Sequence, residues 1–173
     1  WNGHSWRPMP EELHLRSYVE ERFGADIIPE NMTIQDFGVS YDELEPHFDF
    51  YEKVMGIAGT AGNINGEIQP GGNPFEGPRK NPFPLPPLKR TYNGALFEDA
   101  VKTMGYHPFP LPAANASEAY TNPYGMQLGP CNFCGFCERY GCINYSKASP
   151  QPCILGALKR RKNFAYRTGC EVI

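Results

Sequence analysis

Apolar residues recur along this chain in several separate rhythms, and each rhythm predicts an element. The phrase PEELHLRSYVEERFG predicts a helix over 9–23. Pro10 suits a first turn, Glu11 and Glu12 suit the positive end of the helix dipole, and Leu13, Tyr18 and Phe23 offer apolar contacts. Gly24 ends it. A second helix starts at Ser40, where SYDE is a capping box in which the Ser40 hydroxyl and Glu43 carboxylate satisfy orphan N–H groups. It runs to Met55, with Leu44, Phe48, Tyr51 and Met55 as its apolar face and Gly56 as its stop. Pro46 removes one backbone bond inside it and predicts a kink or a later start. A third helix is predicted over Asn93 to Tyr106, burying Leu96, Ala100, Val101 and Met104. A fourth is expected near Cys153 to Lys162, followed by a half-buried strand, FAYRTGCEVI.

Between these stretches the periodicity disappears. From Gly59 to Thr91 the chain is rich in Gly, Asn and Pro and sustains neither a helix nor a central strand. A free tether would be polar, whereas Phe75, Phe83, Leu85 and Leu88 sit among these prolines, so an extended segment packed over a larger body is expected. The organisation read from these shifts is 1–8, then a helical segment 9–58, a Pro/Gly-rich packed loop 59–92, a helix with a Pro-rich turn 93–130, a cysteine loop 131–150, and a helix with a strand 151–173. No internal repeat is present, which removes solenoids and propellers.

Composition narrows the classes. With 173 residues and 40% hydrophobic content the chain can form a core. A net charge of -3 offers no clustered Lys and Arg for nucleic acid, and the basic run Lys159 to Lys162 reads as a solvated helix end. No apolar run approaches the roughly 20 residues that span a bilayer. The chain opens at Trp1 without an initiator Met and stops at Ile173 inside the predicted strand, so an internal segment of a longer protein is expected.

The densest chemistry lies in CNFCGFCERYGC, with Cys131, Cys134, Cys137 and Cys142 inside twelve residues. Thiolates at such spacing can converge on one metal, because a short loop turns its backbone around the ion. Three readings stay open: an iron–sulfur cluster, structural zinc, and disulfides or inert thiols. The last gap is four residues instead of three and no Pro follows Cys142, which departs from the ferredoxin-like pattern. Cys153 and Cys170 read as buried small hydrophobes, with Cys153 a substitute ligand. His4, His14, His47 and His107 are scattered and read as surface or capping residues; Glu43, Glu45 and Asp49 read as helix surface without acid–base work.

Five phrases in order, WNGHSWR, SYDELEPHFDFYEKVMG, NPFEGPRKNPFPLPPL, GYHPFPLPAAN and CGFCERYGC, resemble the glucose-methanol-choline (GMC) oxidoreductases, and among them the flavoprotein subunits of bacterial sugar, sugar-acid and polyol dehydrogenases. The resemblance spans essentially the whole chain. It implies an intact α/β enzyme with an FAD-binding domain and a substrate domain, of which this segment supplies helices, long Pro/Gly-rich irregular stretches and few strands. It also implies FAD as cofactor, with the GxGxxG turn upstream and the catalytic His and its His or Asn partner downstream, so no catalytic residue is expected within these residues and the segment alone is expected to be inactive. Asn2 and Gly3 match the phrase that lies against the flavin ring, and Val172 matches a position whose backbone meets the adenine edge.

In that reading, hydride passes from a substrate hydroxyl to flavin, and electrons leave to an acceptor such as a cytochrome. Relatives that carry an iron–sulfur cluster make the cysteine loop its candidate site. A sugar-type substrate, a cytochrome c and a small subunit are the implied partners, with membrane association only through them, on the periplasmic side of the bacterial inner membrane. The competing reading is a non-enzymatic cysteine-rich metal-binding or interaction module whose PxxP-like run, Pro82 to Pro87, binds a partner.

Overall fold

The computed structural model describes residues 7–172. Its regular elements are few: α1 (Leu15–Phe23), α2 (Tyr41–Met55), β1 (Asn63–Ile64), β2 (Glu67–Ile68), α3 (Tyr92–Thr103), β3 (Tyr120–Thr121), β4 (Gln127–Leu128) and α4 (Gly156–Leu158). A 3-10 turn, Pro10–His14, leads into α1, and a π-helical turn, Gln151–Leu155, leads into α4.

Local chemistry accounts for the best-formed helix. At the start of α2 the Glu43 N–H donates to Ser40 Oγ at 3.3 Å and the Ser40 N–H donates to Glu43 Oε2 at 2.8 Å, the reciprocal bonds of a capping box. Gly56 closes the helix at φ 62°, a left-handed cap that a residue without Cβ adopts freely. Pro46 neither delays nor ends it, because the carbonyl it leaves unbonded belongs to Asp42 and both residues face water.

The buried face of α2 differs from the expected one. Tyr41, Glu45, Glu52, Val54 and Met55 are buried, while Leu44, Phe48 and Tyr51 are only half-buried. Glu45 is therefore not a surface carboxylate. Arg7 forks onto Glu52 with Nε and Nη2 bonds of 3.0 and 2.9 Å and reaches Glu45 at 2.9 Å. Arg79 grips the same Glu52 from another side with two bonds of 3.0 Å, lies 3.7 Å over the Phe83 ring, and pairs with Glu76 at 3.4 Å. Burial becomes tolerable for these charges only because each carboxylate meets guanidinium or backbone N–H groups.

The apolar core sits beside this cluster. Val54, Met55, Ile57, Ala58, Phe83, Leu85, Ala116, Leu128 and Cys153 form it, and extended segments stitch it together. Ala58 exchanges backbone bonds with Ala113 at 2.9 and 2.8 Å, while the Gly59 N–H donates to Leu85 O at 3.0 Å on the other side. The prolines thus pack Phe83 and Leu85 inward, although Phe75 stays exposed. Asn122 ties three parts of the chain: its amide donates to Val54 O and Cys153 O at 2.8 Å, and its Oδ1 accepts from Tyr124 and Met126 N–H groups.

Three expectations need correction. Helix α3 forms, capped by Thr91 Oγ1, yet none of its residues is buried; Leu96 and Met104 are exposed because no other element among the described residues lies across their stripe. Likewise α1 buries no residue; of the three expected apolar contacts Leu13, in the preceding turn, is buried, Tyr18 is half-buried and Phe23 is exposed. Residues 164–172 are irregular and form no strand, since no neighbouring strand among the described residues offers them a ladder. Among the described residues no helix is long and apolar enough to cross a membrane.

Candidate functional site: the cysteine loop

The loop hangs from a short ladder anchored in the core. Segment 114–116 pairs with 146–148: the Ala116 N–H donates to Ser146 O at 3.0 Å, and the Ala148 N–H donates to Ala114 O at 2.8 Å. Ala116 and Ser146 are fully buried, so the ladder is fixed at its base. Cys131 leaves directly from it, its N–H donating to Ala116 O at 2.9 Å. Beyond that point the backbone bends twice through left-handed conformations, at Phe133 (φ 55°) and Gly135 (φ 79°), on either side of Cys134. Tyr145, on the returning arm, is left-handed too. A residue with a Cβ is strained there by about 1 kcal/mol, and strain of this kind gathers where a loop presents side chains for a task.

All six cysteines are free thiols. Cys134 and Cys137 are exposed, and Cys131 and Cys142 are half-buried. The surroundings of Cys142 suit an anion. Burial alone would push its thiol up, but the backbone N–H groups of Lys147, Asn144 and Ser146 and the Lys147 ammonium overturn this and hold it below the ordinary thiol range. Asn115 Nδ2 lies 3.9 Å from Cys137 Sγ, and Lys147 Nζ donates to Cys137 O at 2.6 Å and Tyr140 O at 3.0 Å. An open cavity of about 640 Å3 runs along the loop, lined by Tyr140, Cys142, Tyr145, Lys147, Ser149 and Gln151.

In donor chemistry the loop fits a thiolate-bound centre; in position its sulfurs stay apart. Among the described residues no group of three or more His, Cys, Asp or Glu side chains converges on a metal position. Cys153 is fully buried in the core with its thiol pushed up by burial, which removes it from the ligand set, and Cys170 is exposed instead of buried. His14, His47 and His107 are exposed. Asn2, Gly3 and His4 lie outside the described residues. Val172 is 99% exposed, which leaves its backbone open but gives an adenine edge no wall among the described residues.

Reading the sequence missed Lys147 and Asn115. Both are ordinary polar residues in a Pro-, Ser- and Ala-rich stretch, and no spacing rule marks them; only the ladder brings them to the loop. Their positions opposite each other, 32 residues apart, become meaningful once Asn115 and Lys147 pair as a backbone bridge.

No family model matches the chain. It is 52% identical over 176 aligned residues to the gluconate 2-dehydrogenase flavoprotein of Pantoea cypripedii, an alignment covering 100% of this chain and 29% of that protein. It is 32% identical over 120 residues to the fructose dehydrogenase large subunit of Gluconobacter japonicus, covering 69% of this chain and 18% of that one. The 6'''-hydroxyparomomycin C oxidase of Streptomyces lividus is 28% identical over 131 residues, 76% of this chain and 21% of that protein. The chain therefore resembles the gluconate 2-dehydrogenase flavoprotein along its whole length, and it spans less than a third of the length of the curated relatives it matches.

Proposed function

We propose that the chain serves a flavin-dependent oxidoreductase of the GMC type, α/β in its intact form, that oxidises a hydroxyl group of a sugar, sugar acid or polyol. The observation that carries this reading is the likeness to a dehydrogenase flavoprotein at 52% identity across every part of the chain. FAD is the proposed cofactor, taking hydride from the substrate carbon, with Asn2, Gly3 and Val172 proposed as contacts on the strength of the family resemblance. An electron acceptor such as a cytochrome c, a small subunit, and a place on the periplasmic side of the inner membrane belong to the same proposal.

The cysteine loop is proposed to hold an iron–sulfur cluster through Cys131, Cys134, Cys137 and Cys142, which would relay single electrons away from the flavin. The cradle of N–H groups at Cys142 supports a thiolate there. The competing interaction-module reading is weakened, because Phe83 and Leu85 of the Pro82 to Pro87 run are buried in the core, although Pro82 and Pro86 stay exposed.

Purified as the complete natural polypeptide, the protein should show flavin absorbance that bleaches under anaerobic conditions on addition of gluconate, a ketose or a polyol. Iron and sulfide analysis of the same sample tests the cluster. A colourless protein, unreactive toward all three substrate classes and toward a redox dye, would overturn the enzymatic reading.

A further inference from the structure

We propose that Lys147 is the positioning residue of the cysteine loop, holding Cys137 and Cys142 in a fixed relation to each other. The role serves the metal-binding reading of the loop and rests on it.

At their base the loop's two arms are joined by the Gly129 N–H donating to Asn144 O at 3.1 Å and by Asn144 Nδ2 donating to Pro130 O at 3.3 Å. The 137–140 turn is held within itself by one bond, from the Tyr140 N–H to Phe136 O at 3.3 Å. Lys147 spans both arms. Its ammonium crosses to the turn and caps two carbonyls, Cys137 O at 2.6 Å and Tyr140 O at 3.0 Å. An ammonium has three donors and no acceptor, so it can bridge carbonyls that an alkyl chain would leave bare, and its charge strengthens each bond.

The base of this lever is rigid. Lys147 lies between Ser146, which is fully buried and donates its Oγ–H to Ala116 O at 3.1 Å, and Ala148, which is bonded to Ala114. On the paired strand Asn115 directs its amide toward Cys137 Sγ. Cys131 and Cys137 are thus bonded to one ladder, and Cys142 meets it through the backbone N–H of Lys147. Cys134 is the ligand candidate outside its grip, on the left-handed bends at Phe133 and Gly135. Closing the four sulfurs round one centre asks for movement of more than the Cys134 bend, since no three of them converge among the described residues. A positive charge beside several thiolates also offsets the negative charge that a cluster-bearing loop accumulates.

The test compares wild type, Lys147→Met, Lys147→Gln and Lys147→Arg in the complete natural protein. Two measurements are made: hydrogen exchange of the peptide spanning 136–148 after chelation, and iron, sulfide and zinc per chain before it. In whichever of the Met and Gln variants folds with wild-type circular dichroism, exchange in this peptide should be about tenfold faster, the size of effect expected when charge-assisted bonds open. Metal content should fall in parallel, and Lys147→Arg should restore most of both. Unchanged exchange in a folded neutral variant overturns the proposal. If wild type holds no metal yet exchange still accelerates, the metal reading of the loop falls while the positioning role of Lys147 is upheld.

Discussion

Glu52 sits between two guanidiniums with its side chain 2% exposed, and this makes it the most consequential single carboxylate in the described structure. Replacing it with Ala strands Arg7 and Arg79 in the interior, where an unpaired charge is far costlier than the pair was beneficial. Glu52→Ala should therefore lose about 3–5 kcal/mol in a urea titration. Its neighbours titrate in opposite senses. At Glu45 burial pushes the carboxyl up, but the Lys80 N–H and Arg7 more than offset this and hold it low, so its stabilisation is present above the ordinary carboxyl range and fades as pH falls through its folded value. Glu76 is pushed up by burial against the pull of Arg79 and the Gly62 N–H. Its folded form binds a proton that the unfolded chain has already released, so stability declines as pH rises from about 4.5 through the raised value. Glu76→Gln should flatten that decline in melting temperatures measured between pH 4 and 8, and an unchanged slope would show that Glu76 does not titrate in this way.

At the level of elements, the clearest constraint is the close approach of two backbones near the β1–β2 hairpin. Asn65 and Gly66, both left-handed, supply its tight turn, as an Asn-Gly pair does when its twist must match the strands. The loop that follows folds back so closely that a Cβ on Gly62 would lie 2.0 Å from Asn73 O, and one on Gly72 would lie 2.4 Å from the Ala61 carbonyl. Backbone cannot yield as the end of a side chain can. Gly62→Ala should accordingly cost about 3 kcal/mol and displace Glu76, whose Oε1 accepts from the Gly62 N–H at 2.6 Å, so both the thermal midpoint and the pH profile should change. Helix boundaries are the part of this scale best read from residues alone: the Ser40 and Glu43 box and Gly56 set both ends of α2. Which face a helix buries was less legible. The apolar stripe of α3 has the period of a buried face and remains in water, whereas α2 turns two glutamates inward.

For the whole molecule, the phrases that carry the family resemblance converge in space. Arg7 comes from the first, Glu45 and Glu52 from the second, and Glu76 and Arg79 from the third, and together they form one sealed ionic cluster beside the apolar core. The fourth reaches the fifth where Asn115, on the ladder that carries the cysteine loop, directs its amide toward Cys137 Sγ. Burial divides the thiols accordingly: brief treatment of the native, metal-free protein with iodoacetamide should label Cys170, Cys134 and Cys137, while Cys153 should react only after unfolding. Labelling of Cys153 in the native state would mean that the core described here is open.

Spacing and local chemistry by themselves determined the ends of α2, the irregular Pro-rich path and the cysteine cluster, because caps, prolines and short-range ligand spacing act within a few residues, whereas the helix expected to run to Lys162 stops at Leu158. Only the tertiary structure decided that Glu45 and Glu52 face inward, that Cys153 and Cys170 part company, and that Lys147 grips a turn ten residues before it. Each of those depends on which distant segment arrives alongside, and the long-range packing that brings it there leaves no periodic mark on the residues concerned.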